Sequence, residues 1–196
     1  MLTRLRVRNF KRFDDIDIEL GQNVVLIGPN NFGKTTVLQA LAMWDAGLRR
    51  WNEKRRGVKS PEKRPGVAIN RRDLISVPVR NARLLWRNLS VRSVTRPIVE
   101  GKPKQHTENI RIEIIIDGVS NGCEWSCGLE FDYANEESFY CRPLQRNGER
   151  MLVPEKASTT QFAYLPPMSG LAAMEPKWES GRVNVLIGEG QTAQVL

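Results

Sequence analysis

The sequence has few cysteines, a single histidine and no long apolar run. Cys123, Cys127 and Cys141 are too few, and odd in number, for a disulfide framework. No stretch approaches the roughly 20 apolar residues of a membrane span. The charged, alternating N-terminus, Met1–Arg6, is unlike a signal peptide. The 196 residues therefore predict one cytoplasmic domain, or a large part of one, with no membrane partner.

The cysteines and His106 leave a zinc site open as an alternative. Cys123 and Cys127 are separated by three residues, Cys141 would be a third ligand and His106 a fourth. Structural zinc sites use four such ligands at regular spacings, whereas this spacing is irregular and straddles Trp125 in a strand-like run. The sequence favours ordinary buried thiols and a surface histidine without chemistry.

Residues 28–36 carry the most informative motif of the chain. They fit the pattern G-x-x-x-x-G-K-[ST], the Walker A phosphate loop, in which backbone amides at a helix N-terminus hold phosphate groups. The predicted nucleotide-binding residues of this loop are Gly28, Pro29, Asn30, Asn31, Phe32, Gly33, Lys34, Thr35 and Thr36.

Two side chains of the loop have predicted chemical roles. Lys34 would reach the β- and γ-phosphates and is the candidate catalytic residue, and Thr35 would offer its hydroxyl to Mg²⁺. The setting agrees with this assignment, because Val24–Ile27 predicts a fully buried strand and residues 37–50 predict a helix. The apolar face expected for that helix is Val37, Leu38, Leu41, Trp44 and Leu48, and the helix is expected to fray near residues 51–53.

Alternating and apolar runs elsewhere predict strands. Residues 2–8 and 16–20 alternate with period two and are expected to pair. A second antiparallel meander is expected later, with turn chemistry at 117–122 and 135–137. Its predicted strands are Ile110–Ile116, Cys123–Phe131 and Ser138–Leu144, and Gln161–Leu165 is a further predicted strand.

Positive charge is concentrated in one part of the chain. Residues 53–104 hold 15 of the 30 lysines and arginines but only 4 of the 22 acidic residues. Residues 53–73 have no periodicity and contain two prolines and two glycines, so they predict an exposed loop. The whole basic insertion, residues 53–104, is either a solvated surface or a nucleic-acid contact. The second alternative is open because clusters of lysine and arginine neutralise phosphates and release counterions. The candidate contact residues are Arg55, Arg56, Lys63 and Arg64, with DNA as the candidate partner.

The opening of the chain resembles a known family. The stretch Leu5-Arg6-Val7-Arg8-Asn9-Phe10-Lys11-Arg12-Phe13, followed by Ile16–Leu20 and the loop GPNNFGKTT, is similar to the ATPase heads of SMC, RecF and OLD-type proteins. The resemblance implies an ABC-type ATPase of the AAA class. It implies an α/β fold in which a P-loop NTPase core, lobe I of such heads, is combined with an antiparallel β meander. It also implies ATP rather than GTP, and no guanine-reading N-K-x-D motif occurs.

The same resemblance implies roles for residues outside the loop. Lys11 and Arg12 resemble residues that approach the nucleotide, although exposed turn cations are the alternative. Residues 186–196 resemble the Q-loop region, in which a glutamine senses Mg²⁺ and the γ-phosphate. The closest register places Glu189 at that position, with Gln191 two residues on, so either residue is the candidate.

Two motifs that ABC-type hydrolysis requires are missing from the sequence. No LSGG-type signature occurs, and the nearest match to a Walker B strand, Ile112–Asp117, has Gly118 where a catalytic glutamate should follow. That segment is better explained as one strand of a hairpin, with Asp117 and Gly118 in the turn. Residues 1–196 therefore predict the N-terminal part of one ATPase head, inactive or weak alone.

Three functional interpretations follow. The first is an ATP-binding half-head, joined to a second copy or to a complementary half and acting in DNA repair, chromosome maintenance or anti-phage defence. The second is a non-enzymatic nucleic-acid-binding or assembly fragment. The third is a self-contained P-loop NTPase that uses Asp117 as its Mg²⁺ ligand.

Overall fold

The computed structural model describes residues 1–96, 98–99, 102–103, 105–163 and 179–188. Within these residues one long helix packs on a six-stranded antiparallel sheet. The helices are α1 (Lys34–Arg55), α2 (Glu155–Ser158) and α3 (Ser180–Gly188). The strands are β1 (Leu2–Phe10), β2 (Phe13–Glu19), β3 (Val67–Asn70), β4 (Arg92–Thr95), β5 (Ile98–Val99), β6 (Lys102–Pro103), β7 (His106–Asn109), β8 (Ile112–Ser120), β9 (Cys123–Tyr133), β10 (Ser138–Pro143), β11 (Gln145–Arg146) and β12 (Glu149–Arg150).

The six-stranded sheet has the order β2-β1-β8-β9-β10-β3. The β1–β2 hairpin and the β8–β9–β10 meander are both antiparallel, so the predicted α/β class and both predicted meanders are confirmed. Alternation along each strand places apolar side chains on one face, which is called here the inner face. Its buried residues include Leu5, Val7, Ile112, Ile114, Ile116, Leu129 and Phe131.

Helix α1 lies on the inner face and runs for 22 residues, about 33 Å at 1.5 Å per residue. Its buried side recurs at spacings of three and four, as an amphipathic helix requires. The expected face was partly wrong, because Leu38 is exposed and Met43 is buried instead. The expected fraying was also wrong, because Trp51 is buried and the helix continues to Arg55. No helix among the described residues is both long and apolar enough to cross a membrane.

Two contacts in the middle of α1 fix its position on the sheet. The indole N–H of Trp44 donates to the carbonyl oxygen of Cys127 on β9 at 3.0 Å. One turn further on, Gly47 lies so close to the sheet that an added Cβ would be 2.9 Å from both Cys141 Sγ and Phe131 Cε1. A side chain at position 47 would therefore push the helix off the sheet.

The predicted buried strand at Val24–Ile27 is wrong in the described structure. These residues form no strand, and Val25 and Ile27 are 79% and 90% exposed. A strand needs hydrogen-bond partners beside it, and none of the described strands pairs with this segment. Apolar content alone therefore does not make this run a strand.

The basic segment is more ordered than the sequence predicts. Within the expected loop, Val67–Asn70 forms β3, which pairs with β10 at the edge of the sheet and buries Val67 and Ile69. Further along, Ala82–Leu85 forms a 3₁₀ turn. Leu85 and Trp86 are buried, whereas Leu84 is exposed.

One predicted turn and one predicted strand also differ in the structure. Strand β8 continues through Asp117 and Gly118 to Ser120, and the hairpin turn is Asn121-Gly122, where both residues have positive φ angles. Such a pair is the usual choice for a tight hairpin. Residues 161–163 are not in a strand, and the remainder of the predicted strand 161–165 lies outside the described residues.

The close approach of α1 to the sheet predicts the effect of Gly47→Ala. Alanine favours a helix by about 1 kcal/mol over glycine, yet the added Cβ would overlap Cys141 and Phe131. The overlap should cost about 1–3 kcal/mol, so after the gain in helix propensity we expect a net loss of up to about 2 kcal/mol in the free energy of unfolding, measured by urea denaturation. Gly21→Ala is the control, because its Cβ would meet nothing closer than 3.8 Å. A Gly47→Ala variant stabilised by the full gain of about 1 kcal/mol would contradict this packing.

Candidate functional site

The phosphate loop, residues 28–36, connects the exposed segment 24–27 to the first turn of α1. Gly33 is the N-cap of the helix and has a left-handed backbone, with φ of 96°. An added Cβ at Gly33 would lie 2.7 Å from the Phe13 ring at the start of β2. Glycine is required there both by the backbone conformation and by the close contact with Phe13.

The N-terminus of α1 presents backbone donors that the helix itself leaves unused. The first hydrogen bond of the helix runs from the Val37 N–H to the Gly33 carbonyl oxygen at 3.0 Å. The amides of Lys34, Thr35 and Thr36 therefore have no acceptor inside the helix, and no side chain caps it. Together with the positive end of the helix dipole, these amides can bind an anion.

The side chains of the loop are placed around these amides. Lys34 Nζ folds back over the loop and donates to the carbonyl oxygens of Gly28 at 2.6 Å and Pro29 at 2.8 Å. Thr35 is exposed, so its hydroxyl is accessible to a metal-bound ligand, whereas Thr36 is buried. The donor set, an ammonium group, a hydroxyl and three free amides, fits a polyphosphate with its divalent cation.

Residues 9–13, called here the anchor turn, comprise the end of β1, the turn at Lys11 and Arg12 and the start of β2, and they lie beside the loop. Asn9 has a positive φ and donates from Nδ2 to the Arg111 carbonyl oxygen at 2.9 Å. Phe10 is fully buried and forms a backbone bridge to Trp86. Because Phe13 contacts Gly33, the anchor turn fixes the loop from the side of the sheet.

The two basic residues of the anchor turn differ in their surroundings. Lys11 Nζ donates to Oε1 of Gln39 on α1 at 2.7 Å, and burial lowers the pKa of this amine below its ordinary value of 10.5. Gln39 is one turn beyond Thr35, on the same side of the helix. Arg12 is exposed and makes no hydrogen bond or ion pair with any other described residue. Sequence reasoning missed Gln39, and no local pattern marks it.

A cavity of about 480 Å³ lies beside the phosphate loop. Its lining is mostly apolar and comes from three segments, β2, the stretch before the loop, and the loop with the start of α1. The residues that line it include Ile16, Ile18, Leu26, Ile27, Phe32 and Lys34. A flat aromatic group attached to a phosphate chain would find an apolar surface here.

Asp117 is not part of this site. Its carboxylate accepts hydrogen bonds from Arg6 at 2.7 Å and from Ser126 at 2.6 Å. By strand alternation these residues lie on the outer face of the sheet, opposite the inner face against which α1 packs. The structure therefore does not bring Asp117 to Lys34, and the interpretation of Asp117 as the Mg²⁺ ligand of the loop is wrong.

The alternative zinc site is not assembled either. Cys127 and Cys141 are buried, and burial raises the pKa of the Cys127 thiol to about 12. Cys123 is exposed, and His106 pairs instead with Glu108, with 2.9 Å between Nε2 and Oε1. No group of metal-ligating side chains that could hold an ion occurs among the described residues.

The remaining predicted site residues lie away from the loop or outside the described part. Arg55, Arg56, Lys63 and Arg64, called here the basic cluster, are at the far end of α1, about 33 Å from the loop by helix length. Three of them are exposed, whereas Arg55 donates to the Pro65 carbonyl oxygen and covers the Trp51 ring. Glu189 and Gln191 lie outside the described residues.

Comparisons with known proteins agree with the geometry of the loop. Residues 1–60 match the family described as AAA ATPase domain. A stretch of 41 residues is 51% identical to an OLD nuclease from Thermus scotoductus (strain ATCC 700910 / SA-01), and covers 21% of this chain and 8% of that protein. The predicted resemblance of the N-terminal segment to AAA-type, OLD-like ATPases is confirmed.

The half-buried amine of Lys11 predicts a pH dependence. Because the pKa of Lys11 is lowered on folding, the folded state holds fewer protons at this site than the unfolded state in the window below 10.5. The stability of the unmodified chain should therefore rise with pH across that window, relative to Lys11→Met, and level off above it. Urea denaturation from pH 7 to pH 11 measures the difference in unfolding free energy. A difference that does not change with pH would contradict this assignment.

Proposed function

We propose that this chain binds ATP with Mg²⁺ at the phosphate loop, as the N-terminal half of an SMC/RecF/OLD-like ATPase head. The observation that carries the proposal is the uncapped N-terminus of α1, with three amides that have no helical acceptor, next to the folded-back amine of Lys34. The match of residues 1–60 to an ATPase family supports the same assignment.

Each residue of the loop has a distinct part in binding. The amides of Lys34, Thr35 and Thr36 would donate to phosphate oxygens, and the Lys34 amine would exchange two neutral carbonyl acceptors for a charged one. The Thr35 hydroxyl would hold Mg²⁺, which neutralises phosphate charge when bound. The apolar cavity beside β2 would take the base.

Arg12 is the better candidate than Lys11 for a further contact to the nucleotide. Lys11 already donates to Gln39 and its burial disfavours the charged form, so it is committed to holding the anchor turn against α1. Arg12 is exposed in the same turn and has no partner among the described residues. A guanidinium group can bind a phosphate through two parallel hydrogen bonds.

Hydrolysis would need groups that the described residues do not bring to the loop. Asp17 lines the cavity, but its carboxylate is held by Arg4 at 2.6 and 2.5 Å, and Asp117 is on the other side of the sheet. We propose that a second copy or a complementary half supplies them, and that ATP joins the two parts. DNA repair, chromosome maintenance or defence against phage are the processes in which such an ATP-driven association would act.

Replacing Lys34 tests the nucleotide site. Lys34→Ala removes the donor of two hydrogen bonds and should weaken Mg·ATP binding by at least tenfold, since charged hydrogen bonds contribute about 1.5–3 kcal/mol. Isothermal titration calorimetry measures the affinity. Lys54→Ala, which removes the same charge at the far end of α1, is the matched control and should bind normally. Equal binding by Lys34→Ala and the unmodified chain would show that the site is misassigned.

The second candidate function is nucleic-acid contact by the basic cluster. Arg56, Lys63 and Arg64 are exposed and have no ion-pair partner among the described residues, so their charge is available to phosphates. This contact would supply affinity without sequence readout.

Charge reversal tests this contact. Changing Arg55, Arg56, Lys63 and Arg64 to glutamate should reduce affinity for duplex DNA and flatten its dependence on salt, because fewer counterions are released. A mobility-shift titration at several salt concentrations measures both effects. Mg·ATP affinity is the internal control and should not change, because the cluster lies about 33 Å along α1 from the loop. DNA binding that is unchanged by the four substitutions would show that the basic cluster is not a DNA contact.

A further inference from the structure

A second basic feature lies at the other end of the molecule, next to the phosphate loop. Strands β4 and β7 form a two-stranded sheet of their own, the ribbon, which pairs with no strand of the main sheet. Every described residue of the ribbon is exposed, including Val94 at 54%. An isolated two-stranded ribbon is at best marginally stable in water, and neither face of this one is covered by another described element.

The base of the ribbon is fixed beside the nucleotide site. Ile110 donates its N–H to the Val91 carbonyl oxygen at 3.0 Å, and the Ile110 carbonyl oxygen accepts from the Trp86 indole at 2.6 Å. Trp86 is bridged to Phe10 of the anchor turn. An ion pair of 2.6 Å between Arg87 and Asp14 adds a second connection. The ribbon therefore projects from the same end of the sheet as the phosphate loop.

The two faces of the ribbon differ in charge. Arg92 is paired across the strands with Asn109, and Val94 with Thr107, so these four side chains share one face. Arg96 directly follows the end of β4 and is also exposed. The opposite face holds Ser93, Thr95, His106 and Glu108, with His106 and Glu108 bonded to each other. One face is thus cationic without an acidic residue, and the other is close to neutral.

The charge of this face is not used within the described structure. Residues 74–99 contain five arginines and no acidic residue. Neither Arg92 nor Arg96 forms a hydrogen bond or ion pair with another described residue, and both are exposed. Arg92 begins β4 and Arg96 directly follows its last residue, Thr95, so the chain between them spans at most about 14 Å. Two free guanidinium groups at this spacing are suited to a repeating polyanion.

We propose that the ribbon binds duplex DNA, with the face of Arg92 and Arg96 turned to the phosphate backbone. Guanidinium groups on an exposed face can donate to phosphate oxygens of the DNA backbone and release counterions, whatever the base sequence. A second copy of the chain fits less well, because two identical ribbons packed through this face would place arginines against arginines. The ribbon site is separate from the basic cluster, which is at the opposite end of α1.

Two double variants of equal net charge test the proposal. Arg92→Gln with Arg96→Gln removes two charges from the cationic face, and Ser93→Glu with Thr95→Glu lowers the net charge by the same amount on the opposite face. Fluorescence anisotropy with a labelled duplex, in the absence of nucleotide, measures affinity at several salt concentrations. Because no ATP is present, the result does not depend on the nucleotide site.

We expect the Arg92→Gln, Arg96→Gln variant to bind about tenfold more weakly near 0.1 M salt, and its salt slope to fall by about 2, one unit for each lost phosphate contact. The opposite-face variant should lose less than about threefold. Arg92→Lys with Arg96→Lys keeps the charge and should retain most of the affinity. Unfolding free energies should be alike in all three, because the changed side chains are exposed.

Three results would overturn the proposal. Equal losses in the two charge-matched variants would mean that net charge alone sets affinity. Unchanged binding of the Arg92→Gln, Arg96→Gln variant would mean that DNA does not bind at the ribbon. The variant with four glutamates in the basic cluster would then test whether DNA binds there. A concentration-dependent dimer in sedimentation that the arginine-to-glutamine changes strengthen would identify the ribbon as a contact between copies of the chain.

Discussion

The packing of α1 on the inner face of the sheet is the constraint on which the rest of the structure depends. The helix is held at its middle by the Trp44 hydrogen bond to β9 and by the close approach of Gly47 to Cys141 and Phe131. Its N-terminus supplies the free amides of the phosphate loop, and its C-terminus carries Arg55. A rigid helix of about 33 Å therefore sets the separation between the nucleotide site and the basic cluster.

The sequence could predict those parts of the fold that depend on residue patterns within a short stretch of chain. Period-two alternation predicted β1 and β2, strand-like runs separated by turn residues predicted the meander, and the glycine spacing of residues 28–33 predicted the loop. The segment Val24–Ile27 shows the limit, because an apolar run becomes a strand only if a neighbour pairs with it. Strand β3 was missed because its local sequence predicts a loop, although a distant strand pairs with it. Pro65 and Gly66 precede it, and its pairing with β10 joins residues about seventy positions apart.

Within the candidate site, the motif residues were predictable and their supports were not. The contact of Phe13 with Gly33 and the bond from Lys11 to Gln39 each join residues from different elements. The sequence offers no periodic signal for such pairs. The ribbon escaped prediction because it is exposed on both faces, and such a strand has no hydrophobic alternation to detect.

The anchor turn connects the phosphate loop to the ribbon, so it can couple ligand binding at the two sites. Phe13 contacts the loop at Gly33, and Phe10 is bridged to Trp86, whose indole bonds to the base of the ribbon. The anchor turn thus contacts both the phosphate loop and the base of the ribbon, through Phe13 and Phe10 respectively. Linkage between two ligands is reciprocal. If a partner of the ribbon changes the affinity of the loop for phosphate through this turn, phosphate must change the affinity for that partner by the same factor.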